Sequence, residues 1–183
     1  MSFEKFTVKA VEAIAESQRI AGRMGNPEIR PAHLLLALLE QDQGVVPTVL
    51  QRVGVDVNVL RGQAAQLVDQ LPKVSGSPRA GVSRYLQDAL DHAEKVSKRF
   101  KDTHVPSELL LVGIEHSKDR ARELLREHGA TQERLMSAIE AMRGGRSVQG
   151  QDAEANYEAL GKYTRDLTAL AREGKLDPII GRD

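Results

Sequence analysis

IRPAHLLLALLEQ, residues 29–41, is followed much later by HVPSELLLVGIEH, residues 104–116. Each phrase carries a proline, a polar residue suited to a helix cap, three consecutive leucines and a glutamate near its far end. The match extends well beyond the two phrases. From Leu34 onward the chain repeats at an offset of 75, so that Leu34, Leu35, Leu36, Glu40, Leu50, Gly54 and Leu60 fall on Leu109, Leu110, Leu111, Glu115, Leu125, Gly129 and Leu135. Upstream the offset becomes 76, with Phe6, Thr7, Ala13, Ile14 and Ile20 falling on Val82, Ser83, Ala89, Leu90 and Val96. Correspondence kept across four successive segments marks two copies of one unit, about 1–71 and 77–143.

Each unit reads as four helices. The first opens at a hydroxyl cap, Thr7 or Ser83, able to accept from a backbone N–H that the helix leaves unpaired. Its apolar positions recur at threes and fours. The second is the leucine phrase, with proline at or near its first turn. The third ends at Gly54 or Gly129, suited to the left-handed residue past a helix, and the fourth opens at Asp56 or Thr131. Leu34–Leu39 and Leu109–Ile114 are apolar nearly all round, which predicts a buried central helix in each unit. A unit of about 70 residues holds a meagre core by itself. The expectation is one all-α domain of eight helices over 1–143, two-fold in character, with no strand pairing. Gly144–Asp152 has no apolar period and reads as a flexible linker. Residues 153–183 hold one further amphipathic segment, and Asp183 follows it without a partner helix, as a truncated module would.

Composition removes several function classes. The 183 residues hold 26 basic and 26 acidic side chains and only 3% aromatics, so neither a basic field nor stacking platforms favour nucleic acid or an anionic membrane. Cysteine is absent, which excludes thiol catalysis, disulfides and Cys-ligated zinc. No apolar run approaches the roughly 20 residues of a membrane span. The histidines His33, His92, His104, His116 and His128 never pair at three or four, so no metal site is expected. GxxxxGK[ST], GxSxG and HExxH are all missing. No catalytic residues are assigned.

With its phrases PAHLLLALL and PSELLLVGI, the doubled unit resembles the duplicated N-terminal domain of the Clp ATPases. Within that family, IEAMRGG (139–145) and YEALGKYTRDLTALAREGKLDPIIGRD (157–183) are similar to the bacterial protein disaggregases. The resemblance implies an N-terminal domain, a linker and the start of the first AAA+ module, cut before its phosphate loop. It further implies a full-length cytoplasmic homohexamer, driven by ATP and magnesium, that threads aggregated proteins through its pore with the DnaK chaperone system. This fragment would itself be non-catalytic, without cofactor and monomeric, and would hold exposed segments of unfolded or aggregated clients. Carried over one by one, the client site falls on Thr7, Asp102 and Glu108, with Leu90 and Leu109 reaching a groove between the units. Ile179, Ile180 and Gly181 would border an incomplete adenine pocket.

Each residue also has a plain structural reading: a cap for Thr7, a helix-dipole partner for Glu108, a solvated loop charge for Asp102 and core for the leucines. Two other functions stay open. One is an adaptor-docking domain of a Clp protease unfoldase; the other, weaker, is a hydrolase whose site is dispersed among Asp and Glu.

Overall fold

The computed structural model describes residues 3–76 and 79–151. Among these, eight α-helices follow a short 3-10 turn at Phe3–Lys5. The first half contributes α1 (Val8–Arg23), α2 (Pro31–Glu40), α3 (Val45–Val53) and α4 (Val57–Asp69). The second contributes α5 (Arg84–Arg99), α6 (Ser107–His116), α7 (Arg120–Glu127) and α8 (Gln132–Arg143). Lengths match closely across the halves, at 16 residues for α1 and α5 and 10 for α2 and α6.

The local causes are those the sequence carries. Thr7 Oγ1 accepts from the N–H of Ala10 at 3.2 Å, and Ser83 Oγ from that of Leu86 at 3.1 Å. Asp56 and Thr131 cap α4 and α8 in the same way. Past α3 and α7 the chain turns at Gly54 (φ 97°) and Gly129 (φ 81°), in the left-handed region that glycine enters without a Cβ clash. In the leucine phrases, Leu34, Leu35, Leu38, Leu109, Leu110 and Leu111 are wholly enclosed. Both central helices therefore bury all their faces, and one continuous core runs through both halves.

The structure departs from the expectation of no strand pairing. Glu28–Ile29 (β1) pairs in parallel with Gly81–Val82 (β2), and Phe6 forms a parallel bridge with Val105. At the offset of 76, Phe6 corresponds to Val82 and Ile29 to Val105, so the two pairings are two-fold mates. Their hydrogen bonds agree. The N–H of Thr7 donates to the Val105 carbonyl at 3.0 Å, and that of Ser83 to the Ile29 carbonyl at 3.1 Å. Pairings only two residues long leave no alternation to read in a sequence. They nonetheless lock the lead-in of each half onto the other half.

The stretch read as a linker is fastened to the domain as far as Gln151. The N–H of Thr103 donates to the Val148 carbonyl at 2.8 Å, the N–H of Gly150 to Thr103 Oγ1 at 2.7 Å, and the N–H of Val8 to the Gln151 carbonyl at 3.1 Å. Val148 is itself buried. In the first half the connection leaving α4 docks similarly, the N–H of Val74 donating to the Gly25 carbonyl at 2.9 Å. Asp152 and residues 153–183 lie outside the described residues.

Candidate functional site

Asp102 and Glu108 come together around a residue the sequence reading passed over. Lys101, in the left-handed region at φ 60°, turns the chain after α5 and points Asp102 inward. Arg143, the last residue of α8, reaches it from inside the domain. Its Nη1 donates to Asp102 Oδ1 at 2.7 Å and its Nη2 to Oδ2 at 2.9 Å, and Nη2 also donates to Glu108 Oε2 at 3.2 Å. The guanidinium lies 4.4 Å from the Phe100 ring centre. All three charged side chains are at most 3% exposed. Burial disfavours the Arg143 charge, but Asp102 and then Glu108 outweigh it and hold its pKa above the ordinary arginine value. The same Asp102 Oδ1 accepts from the N–H of Val148 at 2.8 Å. Asp102 is thus a buried hub, and the solvated loop charge is not what the structure contains.

Thr7 joins the same end of the molecule through the chain between these carboxylates. Val105 accepts from the N–H of Thr7 and donates its own N–H to the Lys5 carbonyl at 2.7 Å. Thr7 is fully buried. The three expected site residues are therefore neighbours, and they form a framework beneath the surface.

The equivalent place in the first half is built without charge. Asn26 stands where Asp102 does, His33 where Glu108 does, and Val68 where Arg143 does. The backbone N–H of Arg30 donates to His33 Nδ1 at 2.8 Å, which leaves the proton on Nε2 to bond Asn26 Oδ1 at 2.8 Å. Asn26 Nδ2 then donates to the Pro72 carbonyl at 2.9 Å. This relay uses each polar group once in the neutral state. Burial first, and the Arg30 guanidinium second, lower the His33 pKa to about 4.

Leu90 and Leu109 do not reach a groove: they are 2% and 0% exposed. Each points into the core because α5 and α6 pack face to face, so close that a Cβ on Gly113 would stand 2.1 Å from the Ala89 carbonyl oxygen. Ile179, Ile180 and Gly181 lie outside the described residues. Among the described residues, no group of three His, Asp or Glu is placed to hold a metal ion. Among the described residues, large exposed apolar side chains are few, at Phe3, Val8, Val59, Val74 and Val82. What the sequence reading missed is Arg143. It closes an amphipathic helix as an ordinary C-terminal basic residue, and only the fold brings it to Asp102.

A family model described as the Clp repeat (R) N-terminal domain matches residues 5–128. Chaperone protein ClpB of Corynebacterium efficiens is 44% identical over 179 residues, covering 97% of this chain. ClpB of Corynebacterium glutamicum is 43% identical over the same length. The chain spans about 21% of the length of these relatives. The crystal structure of the Hsp104 N-terminal domain from Candida albicans superposes with a TM-score of 0.74 at 18% identity, over 82% of this chain and 99% of that one. At that identity the likeness speaks for the fold alone.

Proposed function

The chain belongs to the Clp repeat N-terminal domain family, and from that premise we propose that it is the client-holding outer module of an ATP-driven, protein-disaggregating chaperone. The observation that carries this reading is 44% identity to a protein named as a chaperone, extending over 97% of the chain. In the whole protein, the module beginning near residue 153 supplies ATP and magnesium chemistry, assembly is as a homohexamer, and the DnaK system is the working partner in the cytoplasm. The 183 residues contain no GxxxxGK[ST] cradle and act by binding alone.

Thr7, Asp102 and Glu108 serve this function from below. Their buried bonds set the lead-in to α1 and the turn before α6, and so shape the surface on which Phe3 and Val8 are exposed. Single exposed apolar side chains on a polar surface suit weak, sequence-tolerant holding of unfolded chains.

The test is a titration of a permanently unfolded model protein against the parent, Phe3→Ser, Val8→Ser, Asp102→Ala and Glu108→Ala, with melting curves on the same samples. The surface variants should bind more weakly at unchanged melting temperature. The buried variants should lose both binding and stability, with binding lost below the temperature at which they melt. Parent-like binding by all four would remove this reading and favour docking of a folded adaptor.

A further inference from the structure

The second half carries an open cleft of about 830 Å³, walled by α5, α6, α7 and the start of α8. Five cations line it, Arg84, Arg99, Lys118, Arg122 and Arg126, against two carboxylates, Asp88 and Glu115. Glu115 is already engaged. It is 1% exposed and accepts from Arg126 Nε at 2.6 Å and from Gln132 Nε2 at 2.7 Å. With its amide oriented by that bond, Gln132 turns Oε1 to His92 Nε2 at 2.7 Å. His92 is stacked flat on His116, ring centres 3.8 Å apart and planes within 6°. The floor is therefore a fixed polar array, and the accessible charge above it is positive.

The duplication supplies an internal control. The corresponding groove of the first half, about 310 Å³, is lined by Glu12, Glu16, Glu40, Gln41 and Arg19. Glu12 stands where Asp88 does, Glu16 where His92 does, and Gln41 where His116 does. Its only lining cation, Arg19, is bonded to Glu16 at 2.7 Å. One inherited groove is thus acidic and the other basic, although the chain as a whole is neutral.

We propose that the α5–α8 cleft is a docking groove for an acidic polypeptide segment, in which Asp and Glu carboxylates lie between Arg84 on one side and Lys118 and Arg122 on the other. The volume exceeds that of a single small anion, so one phosphate or carboxylate would leave most of it empty. Two carboxylates among the cations, and a tyrosine as the sole aromatic neighbour apart from the imidazoles, fit a polypeptide better than a nucleic acid. Rim charges of this kind act over about 10 Å at ordinary ionic strength, so the groove steers such segments more than it grips them. This site does not depend on the client-holding reading. Its probe carries no apolar residue, so the two stand or fall separately.

The experiment uses the 183-residue chain and a labelled peptide of alternating Glu and Ser, followed by fluorescence anisotropy. A Lys-Ser peptide, inorganic phosphate and a single-stranded oligonucleotide serve as the other arms. The acidic peptide should bind, weaken as salt rises, and move the ring resonances of His92 and His116. Lys118→Glu/Arg122→Glu should lose at least about tenfold in affinity, while Glu12→Gln/Glu16→Gln leaves it within about twofold. If the reversed variant does not fold, Lys118→Gln/Arg122→Gln and the histidine resonances of the parent decide. The proposal is overturned by parent-like affinity in the folded variant, by still histidine resonances, by equal binding of the Lys-Ser peptide, by tighter binding of the oligonucleotide, or by phosphate competing as effectively as the peptide.

Discussion

Arg143 and Asp102 form a two-pronged ion pair inside the domain, with Nη1 on Oδ1 at 2.7 Å and Nη2 on Oδ2 at 2.9 Å. The pair joins the end of the last helix to the loop that leads into α6. Glu108 shares one prong, and the N–H of Val148 shares one carboxylate oxygen. Removing the cation would leave two carboxylates enclosed, whereas exchanging the whole set for neutral groups need not. Arg143→Met should therefore cost about 3–5 kcal/mol. The triple variant Asp102→Asn/Glu108→His/Arg143→Val, which copies the first half's Asn26, His33 and Val68, should cost less than the single change. Urea midpoints at constant slope measure both.

His33 makes stability depend on pH in a defined window. Its folded pKa of about 4 lies below the ordinary value of 6.5, so between those limits the unfolded chain binds a proton that the folded chain does not. The contribution of the neutral ring is complete above pH 6.5 and is lost as the pH falls toward 4. The advantage of the parent over His33→Gln should shrink across that range and stay flat above it. A constant difference from pH 7 to pH 4 would mean that the folded and unfolded chains bind this proton equally readily, so that burial does not hold the folded ring neutral.

Gly113 is required by the crossing of α5 and α6. A methyl group there would press on the Ala89 carbonyl, which is backbone and cannot rotate away. Gly113→Ala should destabilise by about 1–3 kcal/mol or more, despite the better helix propensity of alanine. Thermal unfolding of the variant against the parent checks it.

Val148 pins the segment that follows α8. Its N–H, its carbonyl and its buried side chain all engage the domain. Arg146 is fastened beside it, Nε donating to the Arg143 carbonyl at 2.9 Å. Trypsin should cleave slowly after Arg146 in the parent and much faster in Val148→Gly, with little change in melting temperature. Equal cleavage rates would show that the segment opens regardless of Val148.

The sequence carried most of this fold because its signals are local. Hydroxyl caps, glycines past α3 and α7, and leucine phrases apolar on every face each act within a few residues. What stayed hidden depends on contacts between distant segments. Arg143 lies 41 positions from Asp102, and its basic side chain at a helix end has an ordinary local reading. Leu90 and Leu109 look alike whether a helix face is open or covered, and only the close α5–α6 crossing decides. Residues 144–151 have no apolar period because Val148 is their one buried side chain and the other anchors are hydrogen bonds. The opposite signs of the two grooves were written at matched positions, Glu16 against His92 and Gln41 against His116, yet they gained meaning only once both sets were seen to line clefts.

The reciprocal pairings of Phe6 with Val105 and of Val82 with Ile29 have the form of an isologous dimer interface, where one surface meets its own copy in reverse. Here both copies sit on one strand of peptide, so their association cannot be diluted away. That tether also released them from identity. Two separate but identical subunits must change together, whereas a fused pair can alter one member and leave its twin as it was. An ionic lock in one half beside a neutral relay in the other is a form of asymmetry that a symmetric homodimer could not hold.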